Sequence, residues 1–445
     1  MNDLIQTNLS NRVFRLNKRV VILVFVALLP VATDCFSIGL SWSSVLYLAL
    51  FIFHILGSNN SKVRLYRPCM MCFIYTIIMF TVYLVHGEFS SIIWLILSLP
   101  VTTMIFIDNI KTKNFFLQII DVIIYSGAVV CILGIIEELT GFNIFYTIFN
   151  TIGATANYNA MRLGLTRIIG FTSHAITYCI YLMFLLSLIV YRLSNNKNKI
   201  KKNVYIFIYV LAWINALCTV SRSTILMIII TQIILQFKKG IAKTMKKIAL
   251  MILIISVIML FTSFLFPNTE FDLVSNFIKM FLGLFDSRIA SLMSSQISEN
   301  TNGIGERLQL YEWVRESIEG SMLFGKGTGE SFDYHYNLTN GIYTTMHIKN
   351  SIEVQYLYTL FHYGVIAMVS QIMMYFSLIR LAFKRIRPKT YAWEKGLDFN
   401  FVVGITFVMY LIQFFAINQA TDRYIFNIYM YLLFTYNANK IYSQG

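Results

Sequence analysis

The side chains best equipped for chemistry in this chain are arginines that stand apart from its lysine-rich blocks: Arg162, Arg167, Arg222, Arg288, Arg307, Arg315 and Arg423. A guanidinium presents a planar fork that grips phosphate or carboxylate in a bidentate way and keeps its charge when partly desolvated. Arg222 is the sharpest case. It lies in Ser221-Arg222-Ser223 between two apolar runs, where a charge is expensive and marks a functional or paired site unless it snorkels to headgroups. Arg167 and Arg423 carry both readings, whereas Arg162 and Arg288 read as headgroup contacts. Arg307 shares a helical face with Leu310, Tyr311, Val314 and Ile318, the packed side, where a solvated arginine has no reason to be. Such a set stabilises an anionic ligand or leaving group rather than supplying a covalent nucleophile.

A second group follows late in the chain. Asp333, Tyr334, His335, Tyr336, Tyr343, His347, Lys349, Asn350 and Glu353 form an aromatic and polar set of the kind that stacks on sugars. Within it Glu353 and His347 are the candidate proton acceptors. Just upstream, Leu323-Phe-Gly-Lys-Gly-Thr-Gly329 makes a turn whose amides could face an anion. It lacks the Gly-Lys-Ser/Thr ending of a P-loop and serves equally well as a plain tight turn. His174 reads as an interfacial residue. Cys69 and Cys72 form a CxxC with no second pair or His partner, which reads as packing. Carboxylates are not clustered with His at ligand spacing, so neither a metal nor another cofactor is expected.

What must hold these residues is membrane. Of the 445 residues, 57% are hydrophobic and only 13% charged, where a soluble chain would carry about a quarter charged. The net charge of +15 does not imply nucleic acid, because the basic residues sit in short blocks between apolar runs. Runs long enough for bilayer-spanning helices cover 20–37, 42–57, 68–86, 89–107, 115–137, 169–191, 204–219, 222–237, 248–266, 353–379, 400–418 and 424–440. The fold class is therefore an all-α polytopic membrane protein of about 12 spans. Basic blocks at 12–19, 62–67, 111–113, 192–202, 238–247, 380–395 and Lys440 fall at alternate gaps, which puts both termini inside. The order is a cytoplasmic tail at 1–19, nine spans over 20–266, a large external loop at 267–352 containing short helices, and three spans over 353–445. In that loop 271–293 reads as an interfacial amphipathic helix. Asn302 can cap a helix of about 304–319 that Gly320 ends.

Taken in order, Arg167-x-x-Gly170, Ser221-Arg222-Ser223, the late external loop, Arg307-x5-Trp313, Leu323-Phe-Gly-Lys-Gly and Asn350-Ser-Ile-Glu353 through Gly364 resemble the O-antigen polymerase and O-antigen ligase superfamily. The resemblance implies a bacterial inner-membrane enzyme acting on glycans carried by undecaprenyl pyrophosphate, with a periplasmic loop and a chain-length regulator as partner. It implies that Arg222, Arg307, Arg423 and Arg167 hold pyrophosphate, that Glu353 or His347 accepts a hydroxyl proton, and that Trp313, Tyr336 and Asn350 touch glycan. Ligases carry a His eleven residues before the glycine of the loop-exit helix. Counting back from Gly364 gives Glu353 instead, which favours the Wzy-type polymerase over a ligase. The rival class is a lipid-linked oligosaccharide flippase. It would need charges deep in several helices, and here the mid-span charges are chiefly Asp121 and Asp108.

Overall fold

The computed structural model describes residues 18–31, 41–56, 66–149, 161–162, 165–172, 174–196, 198–237, 305–340, 343–384, 396–415 and 423–441. Helices lie within every expected span except 248–266, which falls outside the described residues, as do the interfacial helix at 271–293, Asn302 and the tail through residue 17. Numbered in chain order, the helices are α1 (18–28), α2 (Trp42–Leu56), α3 (Met70–Val85), α4 (Phe89–Ile96), α5 (Thr102–Asn109), α6 (Lys113–Thr140) and α7 (Ile144–Phe149). They continue as α8 (Ala175–Asn195), α9 (Lys199–Cys218), α10 (Arg222–Phe237), α11 (Gly305–Ser317), α12 (Gln355–Lys384), α13 (Phe399–Gln413) and α14 (Arg423–Ala438). Among the described residues, six segments are long and apolar enough to cross a membrane: Arg67–Val85, Phe89–Asn109, Lys113–Thr140, Ala175–Asn195, Lys199–Cys218 and Gln355–Lys384. The protein is a mostly helical, multi-pass membrane protein.

The bundle is built around α8. A helix apolar on every side belongs inside, and α8 is buried from Ala175 to Arg192, with α6, α9, α10 and α13 packed on it. By contrast α9 leaves Ile200, Phe207 and Val210 exposed along its outer side, the surface that lipid covers. Pro100 interrupts the Phe89–Asn109 span. Lacking an N–H, it opens a wide turn at Leu97–Val101, and the Thr102 hydroxyl closes back on Leu97 O at 2.7 Å.

One charge falls where the block pattern does not put it. Arg192, the first residue of a lysine-rich block, is buried and grips Asp121 with Nε to Oδ1 at 2.6 Å and Nη2 to Oδ2 at 2.8 Å. The Tyr205 hydroxyl donates to the same carboxylate at 2.7 Å. Asp121 is thus compensated within the bundle, and Asp108 lies 3.7 Å from Lys111.

The late loop, expected to contain short helices, holds the short helix α11 and also a β-hairpin. Tyr334–Asn340 and Tyr343–Lys349 pair antiparallel in the register Tyr334↔Lys349 through Asn340↔Tyr343. A smaller pairing, Met161–Arg162 with Leu165–Thr166, lies between α7 and α8. The α11 helix ends at Gly320, whose φ of +88° suits a helix stop. Leu310, Val314 and Ile318 are buried against Leu357, Leu360 and Phe361 of α12, so the loop is docked on the helix it leads into. Tyr311, expected on that same face, is 55% exposed.

Candidate functional site

Two irregular backbone junctions frame the site. At the first, the bend 167–170 before α8 meets the turn 218–221 between α9 and α10. Ile168 N donates to Cys218 O at 3.3 Å, Arg167 Nε to Thr219 O at 3.2 Å, and Arg167 Nη2 to Ser221 Oγ at 3.4 Å. Thr219 and Ser221 are buried. Val220 between them has φ +50°, a left-handed conformation that a β-branched residue adopts at a cost of about 1–3 kcal/mol. Strain of that kind persists where the surroundings dictate the backbone. Here it swings the chain so that α10 begins at Arg222, directly after the hydroxyl that Arg167 holds. The Arg167 and Ser-Arg-Ser motifs, 54 positions apart in sequence, are therefore one structural unit.

At the second junction, α12 is broken. Gly364 has φ +76° and ψ −179°, so its helical ladder opens and four main-chain groups lose their partners. The glycine-rich segment supplies them. Lys326 N donates to Phe361 O at 2.8 Å and Gly327 N to His362 O at 2.9 Å, while Val365 N donates to Met322 O at 2.9 Å and Ile366 N to Leu323 O at 3.5 Å. His362 Nδ1–H closes the lock on Gly327 O at 2.8 Å. The approach leaves no room for a Cβ: one on Gly364 would sit 2.2 Å from Leu323 O, and one on Gly325 would sit 2.5 Å from His362 C. From outside, His86 Nε2–H donates to Phe324 O at 2.8 Å and Glu88 Oε1 accepts from Thr328 N at 2.7 Å. The amides of Gly325, Lys326, Gly327 and Thr328 are thus all engaged by protein. Of the two readings of this turn, the anion cradle gives way to a helix splice.

Gln413 links the two halves. Its Nε2 donates to Ser223 O at 3.2 Å and its Oε1 accepts from the Thr224 hydroxyl at 3.4 Å, in the first turn of α10. The next residue, Phe414, accepts from Gln355 N at 2.9 Å, and the Tyr356 hydroxyl donates to Leu411 O at 3.1 Å. The start of α12, the end of α13 and the start of α10 therefore meet at one end of the bundle. Phe426, one turn into α14, stacks near Tyr410 at 5.2 Å, which brings the first residue of that helix, Arg423, to the same end.

Among the expected site residues, Glu353 lies two positions before Gln355, with Oε1 3.0 Å from Lys349 Nζ and its side chain 45% exposed. Asn350 is exposed beside it. Tyr336 and His347 are cross-strand partners in the hairpin, and Arg307 lies in the first turn of α11. The side chains of Arg222, Arg307, Arg423, Tyr336 and His347 lie outside the described residues. Trp313 is not the open sugar platform its type suggests. It is 8% exposed and stacks on Tyr334 at 5.1 Å, so it backs that tyrosine rather than facing solvent. The Tyr334 hydroxyl donates to Glu316 at 2.7 Å, and that carboxylate pushes the phenol's pKa up. Among the described residues no cluster of three metal-binding side chains occurs.

Gln413, His86 and Glu88 hold these junctions and are passed over by motif reading. The signals were slight: one amide in an apolar run, and two titratable side chains packed into the short link between α3 and α4.

In comparison with known protein families, residues 207–372 fit the family model described as O-antigen ligase, Wzy_C. The matched stretch runs from within α9 through the α10 start and the splice into α12, while Arg167, Gln413 and Arg423 lie outside it. No curated protein matches the chain.

Proposed function

From the O-antigen ligase and polymerase superfamily, whose membership the match to residues 207–372 supports, we propose that this chain is a Wzy-type polymerase of surface-polysaccharide repeat units. The donor is the growing glycan on undecaprenyl pyrophosphate. The acceptor is one lipid-linked repeat unit, whose sugar hydroxyl attacks the donor's anomeric carbon. A carbon–oxygen bond forms there as the bond to pyrophosphate breaks. The lipid pyrophosphate leaves with the bonding pair, and the hydroxyl proton passes to Glu353 or His347. Arg222, Arg307, Arg423 and Arg167 neutralise the leaving group, and Tyr336 and Asn350 hold sugar. A metal has no step in this scheme.

The observation that carries the reading is the convergence at Gln413–Phe414. The Gln413 amide holds the helix start bearing Arg222 and the next carbonyl, Phe414 O, holds Gln355 in the segment that delivers Glu353, which would give a leaving-group clamp and a proton acceptor a common frame. The ligase reading has its own support, since the matching family model is described as O-antigen ligase.

A deletion strain separates the two by electrophoresis of surface glycan. Loss of a polymerase leaves single repeat units on the surface acceptor. Loss of a ligase, or of a flippase, leaves none. In the complemented strain, Arg222→Ala and Arg307→Ala should abolish long chains at matched protein level, and normal chain length in both would sink the arginine clamp. Glu353→Gln tests the proton acceptor separately: unchanged turnover moves that role to His347.

A further inference from the structure

Glu137 lies in the last turn of α6. It is 4% exposed, and among the described residues it makes no ion pair. Burying a carboxylate unpaired is costly unless hydrogen bonds satisfy it. Its two oxygens face consecutive main-chain amides: Ile169 N donates to Oε1 at 3.1 Å and Gly170 N to Oε2 at 3.0 Å. Asn143, six residues on, donates from Nδ2 to Gly170 O at 2.7 Å. Three polar main-chain groups of the 167–170 bend are thus held by two side chains from the end of α6 and just beyond it.

The carboxylate is not there to stop the helix. Gly141, with φ +66° and its N–H on Glu137 O at 2.8 Å, already does that. Nor does apolar packing explain it, because Gly170 reaches Tyr178 without help: a Cβ on Gly170 would lie 2.8 Å from that ring. What the carboxylate adds is a fixed bend. On its upstream side stands Arg167, whose guanidinium spans Thr219 O and Ser221 Oγ and so sets the backbone that begins at Arg222.

We propose that Glu137 is the positioning residue of the arginine clamp, fixing Arg167, and through it the start of α10, for a polyprenyl pyrophosphate. The inference rests on the phosphate-binding reading of Arg167. It is specific to a carboxylate. Glutamine offers one acceptor oxygen and sets an NH2 group against the second amide, so Glu137→Gln loses one of the two bonds and gains a donor–donor clash. Aspartate keeps both oxygens at shorter reach.

The test is the affinity of the full-length protein, in nanodiscs, for undecaprenyl pyrophosphate, with a thermal melt on each sample. Glu137→Gln should raise Kd about tenfold or more, the usual scale for removing a group that orients a binding residue. Arg167→Ala should raise it at least as much, and the double variant should bind no worse than Arg167→Ala alone, because both changes remove one interaction. Multiplied losses in the double variant, or wild-type affinity in Glu137→Gln, overturn the proposal. Wild-type affinity in Arg167→Ala overturns instead the phosphate role of Arg167 on which it stands. If Glu137→Gln does not accumulate, Glu137→Asp carries the same cycle, with a smaller rise in Kd expected.

Discussion

The two junctions solve one problem in opposite ways. Irregular backbone near a membrane must find partners for its N–H and C=O groups within the protein. At the α12 break the four opened groups find main-chain partners, which glycines let approach, and the side chains of His86, Glu88 and His362 pin the splice around them. At the 167–170 bend one partner is main chain, Cys218 O, and the others are side chains, a carboxylate and an amide on one flank and a guanidinium on the other. Main-chain splicing is stiff and chemically silent. Side-chain clasping places charge beside the irregular segment, and charge is what a pyrophosphate-handling site requires. On the proposed function, the α12 splice serves architecture and the 167–170 bend serves binding.

The largest effect that could break this division is expected from Gly364→Ala. The new methyl would meet Leu323 O at 2.2 Å in a left-handed backbone, and the splice would have to part. A loss of about 3 kcal/mol or more follows from strain together with unpaired main-chain groups. It would be read as lost folded protein in detergent melts or by protease sensitivity. Normal stability would mean the break is not held by this fit. Gln413→Ala should be milder for stability, removing two bonds worth about 1 kcal/mol each, yet it should cut polymer length sharply, since it separates α10 from the α12 entry. An unaltered ladder of chain lengths would show that the halves need no such tie. The smallest change is expected for His86→Ala, which removes one bond to Phe324 O. It should lower the melt by about 1 kcal/mol equivalent with turnover per folded molecule unchanged. A selective loss of turnover would move His86 into the site and blur the division.

Much of the helical framework was readable from apolar runs, because hydropathy reports the one property that a bilayer demands of every span. The tertiary joins were not. Arg167 and Ser221 advertise polarity but nothing of their contact, which depends on how α8 and α9 pack. The glycines at 325 and 327 were visible as a turn, yet only the break at Gly364 reveals what the turn fits into. The hairpin was more available than an all-helical reading allows. Asn340-Gly341 stands between stretches rich in Tyr and Thr, a strong hairpin signal that sits close to strongly apolar spans. Trp313 misleads for another reason: aromatic rings serve sugars and cores equally, and burial alone tells them apart.

The splice also bears on how the chain is assembled. Every group outside α12 that closes its opening, from His86 and Glu88 to Met322 through Thr328, is made before residue 361 leaves the ribosome. The helix can therefore enter the bilayer with its break already filled. Were the order reversed, the second half would insert beside an open turn, with main-chain groups exposed to lipid until a later segment arrived. Chain order here acts as a chaperone written into the sequence.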